Sequence, residues 1–193
     1  MSDVVDGVKT DVLIVGGGPS GLATAIHLAN VLNEKGHDGR IMLVEKGESI
    51  GSHILSGAVI KTDVFKELLP FTDINEIPFD SKVVKDSTVF LTADDSYDLP
   101  FHPPYMKNMG NKIASLGQVC KFLAEVAKKK GVEIYTGFSV DELLYDEEGR
   151  VCGAKTKDTG LDHNGNKMPN FQPGTEVQAS ITVLAEGTCG TLA

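Results

Sequence analysis

Between Asp11 and Leu22 a short apolar run, Val12-Leu13-Ile14-Val15, stops at Gly16-Gly17-Gly18-Pro19-Ser20-Gly21, and an alanine-rich segment follows. The order predicts a strand, a glycine turn and a helix. The apolar run is continuous rather than alternating, as expected of a strand buried on both faces of a parallel sheet. Leu22, Ala23, Ala25, Ile26 and Ala29 then recur at helical spacing. Gly16, Gly18 and Gly21 have the G-x-G-x-x-G spacing of a dinucleotide site. The first glycine makes the tight turn, the second lets a diphosphate approach the backbone, and the third lets helix and strand pack closely. Such an anion would meet N–H groups that have no partner inside the helix, at the positive end of its dipole.

A second predicted strand, Ile41-Met42-Leu43-Val44, ends in Glu45, which lies 24 residues beyond Gly21 (45 − 21). An acidic side chain at that place accepts hydrogen bonds from ribose hydroxyls. The bland alternative is a tight strand-to-helix turn with an unrelated surface glutamate. Composition excludes other classes: a net charge of −9 argues against a nucleic-acid partner, because phosphate neutralisation needs clustered cations. The one basic run, Lys128-Lys129-Lys130, closes a predicted helix before Gly131 and there complements its dipole. Cys120, Cys152 and Cys189 are dispersed, which predicts neither a disulfide framework nor a metal site and fits a reducing compartment. No apolar run has the length of a membrane span, and Met1 to Thr10 is acidic and polar, unlike a signal or transit peptide.

After Glu45 a plain dinucleotide fold runs into a further helix and strand, but here Lys46 to Val59 is punctuated by Gly and Ser without helical period. A segment of that kind carries backbone donors past something it must approach closely. His53, the one histidine in it, reads equally as a structural or surface residue. Thr62 to Leu69 predicts a short helix capped by Thr62 and stopped by Pro70, with Val64, Phe65, Leu68 and Leu69 on one face. That face suits a core or a membrane interface. Antiparallel strands are expected from Phe79 to His102, with Val83-Val84 and Val89-Phe90-Leu91 as apolar pieces and a turn at Asp94-Asp95-Ser96. Leu116 to Lys130 predicts an amphipathic helix, Val132 to Tyr135 a strand, and Val140 to Tyr145 with Val151 to Lys157 a hairpin around Asp146-Glu147-Glu148-Gly149. Residues 158–174 are polar, with Gly160, Asn164-Gly165-Asn166, Pro169 and Pro173, and are expected to be a loop. Val177 to Leu184 predicts a last strand, running into Ala185-Glu186-Gly187.

The chain resembles the electron-transfer flavoprotein–ubiquinone oxidoreductases from about Asp11 to its last residue. Val15 to Gly21, Leu43-Val44-Glu45-Lys46 and Ala185-Glu186-Gly187 are shared with many flavoproteins of the glutathione-reductase type. Ile50-Gly51-Ser52-His53-Ile54-Leu55-Ser56-Gly57-Ala58, followed by Phe65-Lys66-Glu67-Leu68 and Pro70, is more specific. The resemblance implies an α/β, Rossmann-like FAD-binding domain over residues 1–193, C-terminally incomplete, with an inserted antiparallel region over residues 51–115 facing substrate or membrane. It implies FAD contacts from Gly16, Gly18, Pro19, Ser20 and Gly21 to the pyrophosphate and from Glu45, with Lys46 beside it, to the ribose. Gly51, Ser52, His53, Ser56 and Gly57 would approach the flavin ring, the backbone near Val140 the adenine, and Ala185, Glu186 and Gly187 the ribityl side.

The partners implied are electron-transfer flavoprotein, ubiquinone and a membrane surface touched through Phe65, Leu68, Leu69 and Phe71. The implied location is peripheral: the inner membrane of a bacterium, or the matrix face of the mitochondrial inner membrane. The family's 4Fe-4S cluster has no matching cysteine ligands in this chain, and no acid–base dyad or nucleophile is needed, because flavin carries the redox chemistry. The resemblance therefore implies a fragment not competent by itself for the full reaction. Two other readings share the glycine turn: a related flavin reductase or monooxygenase, which the Ile50 to Ala58 segment disfavours, and a non-catalytic nucleotide-binding domain, which flavin absorbance would separate. A plain NAD dehydrogenase is disfavoured by the Ser/Gly-rich run after Glu45.

Overall fold

The structure is a computed structural model and describes residues 7–192. In chain order the elements are β1 (Val8–Val15), α1 (Pro19–Glu34), β2 (Ile41–Glu45), β3 (Gly57–Ile60), α2 (Asp63–Leu68), β4 (Ser81–Lys82), β5 (Val89–Leu91), β6 (Ser96–Asp98) and β7 (Lys112–Ser115). They continue with α3 (Leu116–Lys129), β8 (Glu133–Thr136), β9 (Val140–Tyr145), β10 (Val151–Thr156), β11 (Thr159–Leu161), β12 (Lys167–Gln172) and β13 (Glu176–Leu184). The chain forms two compact units, one running to Ile54 and resuming at Cys120, the other spanning Leu55–Val119.

In the first unit six strands form one sheet in the order β8-β2-β1-β13-β10-β9. The first four are parallel, and β10 and β9 extend the sheet antiparallel from β13. β1 carries the apolar run at the sheet's centre, where Leu13, Ile14, Leu43 and Val44 are buried, because strands flanked on both sides and covered on both faces have no room for alternation. α1 buries Gly21, Leu22, Ala25, Ile26 and Ala29, a stripe of small and branched side chains suited to close approach against the sheet. A second cluster is formed by Leu13, Val15, Met42, Val44, Val140, Ala154, Val177 and Ala179, with Leu143 and Leu184 packed against it. α3 buries Cys120, Leu123, Ala124 and Ala127 and turns Lys121, Glu125, Lys128 and Lys129 outward. Its cations fall in the last turn, and Lys128 Nζ pairs with Glu125 at 2.8 Å.

Residues 158–174 correct the expectation of a loop. β11 and β12 pair antiparallel, and Asp162 Oδ1 accepts from the backbone N–H groups of Asn164 and Asn166, both at 2.8 Å. The polar sequence concealed a hairpin whose turn is organised by an aspartate side chain, and Pro169 is tolerated because β12 has a partner on one side only.

In the second unit β3, β7 and β4 form a three-stranded antiparallel sheet and β5 and β6 a separate hairpin. The expected strand at Val83-Val84 lies instead at Ser81–Lys82. Thr62 precedes α2 without a side-chain capping bond. The apolar face of α2 corrects a second expectation: Phe65 and Leu69 are buried, and Phe65 meets Phe79 edge-to-face at 5.6 Å between centroids. Leu68 is half-buried while Val64 and Phe71 are exposed, so Phe65 and Leu69 belong to the unit's own core and only the remainder of the face stays open to solvent. A helix of six residues could bury its aromatic side chain because Phe79, distant in sequence, supplies the wall. Exposed large apolar side chains gather instead on and around the β5–β6 hairpin: Val89, Phe90, Leu91, Tyr97 and Phe101. No helix among the described residues is long and apolar enough to cross a membrane.

Candidate site at the C-terminal ends of the parallel strands

The parallel strands β1, β2, β8 and β13 all run toward one end of the sheet, where ligands of open α/β folds bind. At that end Gly16 N–H donates to Val44 O and Ala185 N–H donates to Val15 O, each at 2.8 Å, so the glycine turn emerges between β2 and β13. Gly16 has φ +110°, and a Cβ there would strike the carbonyl oxygen of Ala185. A Cβ at Gly21 would strike the carbonyl oxygen of Gly16. Both contacts are with backbone, which has nowhere to go, and they are the turn and packing roles expected of the first and third glycines.

Gly18 differs: a Cβ there would find no protein atom within 4 Å. The protein itself leaves this position open, so the requirement for glycine comes from a ligand or from nothing. Gly18 is also the N-cap of α1, with no side-chain cap, Pro19 in the first turn and no acidic residue there. Ser20 is exposed and its carbonyl accepts from Thr24 Oγ1 at 2.9 Å. A cradle without protein atoms, in front of a helix start without a capping side chain, has the donor set and the room that a diphosphate requires.

Glu45 sits at the end of β2 with its side chain 14% exposed. Oε2 accepts from Gly17 N–H at 2.7 Å and Oε1 from Gly47 N–H at 2.8 Å. A carboxylate offers about four lone-pair directions, so each oxygen keeps acceptor capacity for a hydroxyl. His53 Nδ1 stands 4.0 Å from Glu45 Oε1, on a largely exposed ring. Lys46 points to solvent, Gly51 has φ +83°, and Ser52 Oγ donates to Ser49 O at 2.8 Å. Ser56 and Gly57 belong to the second unit, where Gly57 opens β3 opposite Ser115.

Val140 is buried, and its strand position opposite Thr156 places its backbone just after Gly137-Phe138, whose N–H groups donate to Gly47 O and Glu45 O at 2.7 and 2.9 Å. Beyond β13, Gly187 takes φ +81° and the Glu186 carboxylate turns toward the following residues, accepting from Thr191 Oγ1 at 3.2 Å and Leu192 N–H at 3.1 Å. These contacts join Gly16, Gly17, Gly21, Glu45, His53 and Ala185 into one constellation. Sequence reasoning missed Gly17, Gly47 and Gly137, although the middle glycine of the Gly16-Gly17-Gly18 run and the Glu-x-Gly spacing of Glu45 and Gly47 were the available signals.

Beneath the site Cys120 is fully buried, and burial, followed by the Glu45 carboxylate, pushes its thiol up to about 11. It is an inert core residue. Among the described residues no cluster of His, Cys, Asp and Glu could hold a metal ion.

Comparison with known proteins finds similarities at the level of sequence and of fold. Residues 14–69 match the model of an NAD(P)-binding Rossmann-like domain. The chain is 44% identical over 187 residues to the mitochondrial electron transfer flavoprotein-ubiquinone oxidoreductase of Dictyostelium discoideum, covering 97% of this chain and 31% of that protein. It is 42% identical over 187 residues to the electron transfer flavoprotein-ubiquinone oxidoreductase of Pseudomonas aeruginosa, covering 95% of this chain and 34% of that one. The chain therefore spans about a third of the length of these relatives. Among solved structures, a geranylgeranyl bacteriochlorophyll reductase-like protein from Thermoplasma acidophilum superposes with a TM-score of 0.64 at 21% identity, over 93% of this chain and 40% of that one. The fold is the α/β, Rossmann-type fold of FAD-dependent oxidoreductases.

Proposed function

We propose that this chain is the FAD-binding portion of an oxidoreductase that passes electrons from reduced electron-transfer flavoprotein to ubiquinone. The observation that carries the FAD assignment is the pairing of an open cradle at Gly18 with a Glu45 carboxylate that keeps acceptor capacity beside it. In this reading the N–H groups at the start of α1 hold the pyrophosphate, with Pro19 and Ser20 in its first turn. Glu45 holds the adenosine ribose, the backbone near Val140 borders the adenine, and Ala185 and Gly187 line the path toward the flavin. Bound flavin supplies the redox chemistry, while the protein binds, orients and shields it. The turn containing Gly51 and Ser52 would lie beside the flavin ring, where small side chains permit close approach.

The electron-passing activity, and a 4Fe-4S cluster, are proposed for a protein of the relatives' length, and FAD binding for this chain. Membrane contact in this reading falls to the β5–β6 hairpin and its surroundings, where Phe90, Leu91, Tyr97 and Phe101 are exposed. Each such side chain would contribute at most about 1.5–3 kcal/mol on burial in the interface.

Titration of the purified chain with FAD, followed by absorbance and calorimetry with NAD+ alongside, tests the assignment. Saturable one-to-one FAD binding is expected, and binding of NAD+ in preference to FAD would overturn it. For the membrane reading, Phe90→Ser with Leu91→Ser in a protein of the relatives' length should abolish liposome co-sedimentation while FAD stays bound. Sedimentation equal to the parent would remove the hairpin from that role.

A further inference from the structure

The segment Glu45-Lys46-Gly47 bonds in three directions. Its carboxylate takes one N–H from the glycine turn (Gly17, 2.7 Å) and one from its own turn (Gly47, 2.8 Å). Its carbonyls take two from the exit of β8: Phe138 N–H to Glu45 O at 2.9 Å and Gly137 N–H to Gly47 O at 2.7 Å. The three loops so tied together follow β1, β2 and β8, and they are the loops that the proposed function assigns to pyrophosphate, ribose and adenine. We infer that Glu45 and Gly47 are positioning residues that lock these three loops in register before any cofactor arrives, so that Glu45 serves the empty site as well as the ribose. The inference rests on the FAD reading only for the word cofactor; the lock itself concerns the chain alone.

Chemistry and sterics both single out these residues. Two backbone N–H donors converge on one side chain, and an ionised carboxylate can serve both because both of its oxygens accept. A glutamine has one accepting oxygen and a donating NH₂, so it can hold one of the two loops and must turn a donor toward the other. An aspartate is one methylene short. Gly47 cannot take a side chain without cost, since a Cβ would press on Ser52 Oγ and lie 3.1 Å from Glu45 Oε1. A Cβ at Gly17 would strike Ile50 and lie 3.1 Å from Glu45 Oε2. Held by two amides and only 14% exposed, the carboxylate has little freedom to swing, which is what preorganisation for a ligand hydroxyl needs.

Amide hydrogen exchange measured by NMR on the FAD-free chain tests the lock. Gly17 and Gly47 amides should be protected in the parent, and Glu45→Ala should speed exchange at both by about ten- to a hundredfold, the loss of a hydrogen bond to a charged group. Glu45→Gln should release one of the two and keep the other, a split that general loosening of the fold would not give. Amides in β10 and β13, remote from the lock, report global stability and should be unchanged. Unprotected Gly17 and Gly47 in the FAD-free parent, or protection that survives Glu45→Ala, would overturn the inference. Protection without any FAD binding would instead leave the lock standing and remove the proposed function, so the two failures are distinguishable.

Discussion

The two ends of the parallel sheet are built from the same strands and use their polar groups in opposite ways. At the N-terminal end Arg40, just before β2, finds its partners within the protein while its side chain stays partly exposed. Its guanidinium makes a bidentate pair with Glu133 at 2.6 and 2.9 Å and donates to Lys9 O at 2.6 Å. Its N–H donates to Asp11 Oδ2 at 2.7 Å, and its carbonyl accepts from Thr10 Oγ1, Asp11 N–H and Val12 N–H. At the C-terminal end α1 begins without a capping side chain, a Cβ at Gly18 would face open space, and Glu45 keeps acceptor capacity after binding two amides. The difference teaches where stability and function divide. Polar groups closed on one another hold the strands in register, while the groups with donor or acceptor capacity to spare are those that the proposed function assigns to a ligand.

The largest effect is expected where the glycine turn is packed rather than open. Gly21→Val drives a side chain into the Gly16 carbonyl and should cost about 3 kcal/mol or more, seen as loss of soluble protein or of a cooperative thermal transition. Full stability of this variant would mean that helix and turn are not in close contact. Gly18→Val should do the reverse. The chain should still fold, losing about 1 kcal/mol of capping preference, yet take up no FAD, because the added side chain fills the cradle. Circular dichroism and flavin absorbance on one preparation separate the two, and a folded variant carrying a full complement of FAD would break the comparison at this end.

Glu45→Ala comes next, with FAD binding weakened by roughly 1.5–3 kcal/mol, the range for hydrogen bonds to a charged group. Unchanged FAD affinity would falsify the ribose assignment. Smallest is Glu133→Gln, at the opposite end. Arg40 first, and Tyr135 after it, hold the Glu133 carboxyl at about 2 against its usual 4.5. A carboxyl depressed in the folded state stabilises fully above the unfolded value and loses that contribution as pH falls, here between 4.5 and about 2. The pair is substantially exposed, so Glu133→Gln should lower Tm at pH 7 by about 1–3 °C only and flatten the acid limb of Tm against pH. FAD affinity should not move. An equal loss of FAD binding in Glu133→Gln and Glu45→Ala would show that the two ends are not separate in function.

Much of this was written locally. The apolar run before Gly16, the spacing of Gly16, Gly18 and Gly21, the place of Glu45 and the helical period after Leu116 are short-range patterns, and short-range patterns survive in sequence. They determined the strand–turn–helix opening, the hairpin of β9 and β10 and the amphipathic helix. Three things were decided only by the folded structure. Phe65 and Leu69 read as an apolar face with two possible fates, and burial, with Phe79 against Phe65, chose the core. Residues 158–174 read as loop because their side chains are polar, whereas backbone pairing and the Asp162 carboxylate made them a hairpin. Glu45 read as a ribose acceptor, and only the folded chain brings the Gly17 amide onto one oxygen while the neighbouring Gly47 amide takes the other, since spacing along a sequence carries no record of which carboxylate a distant amide will meet.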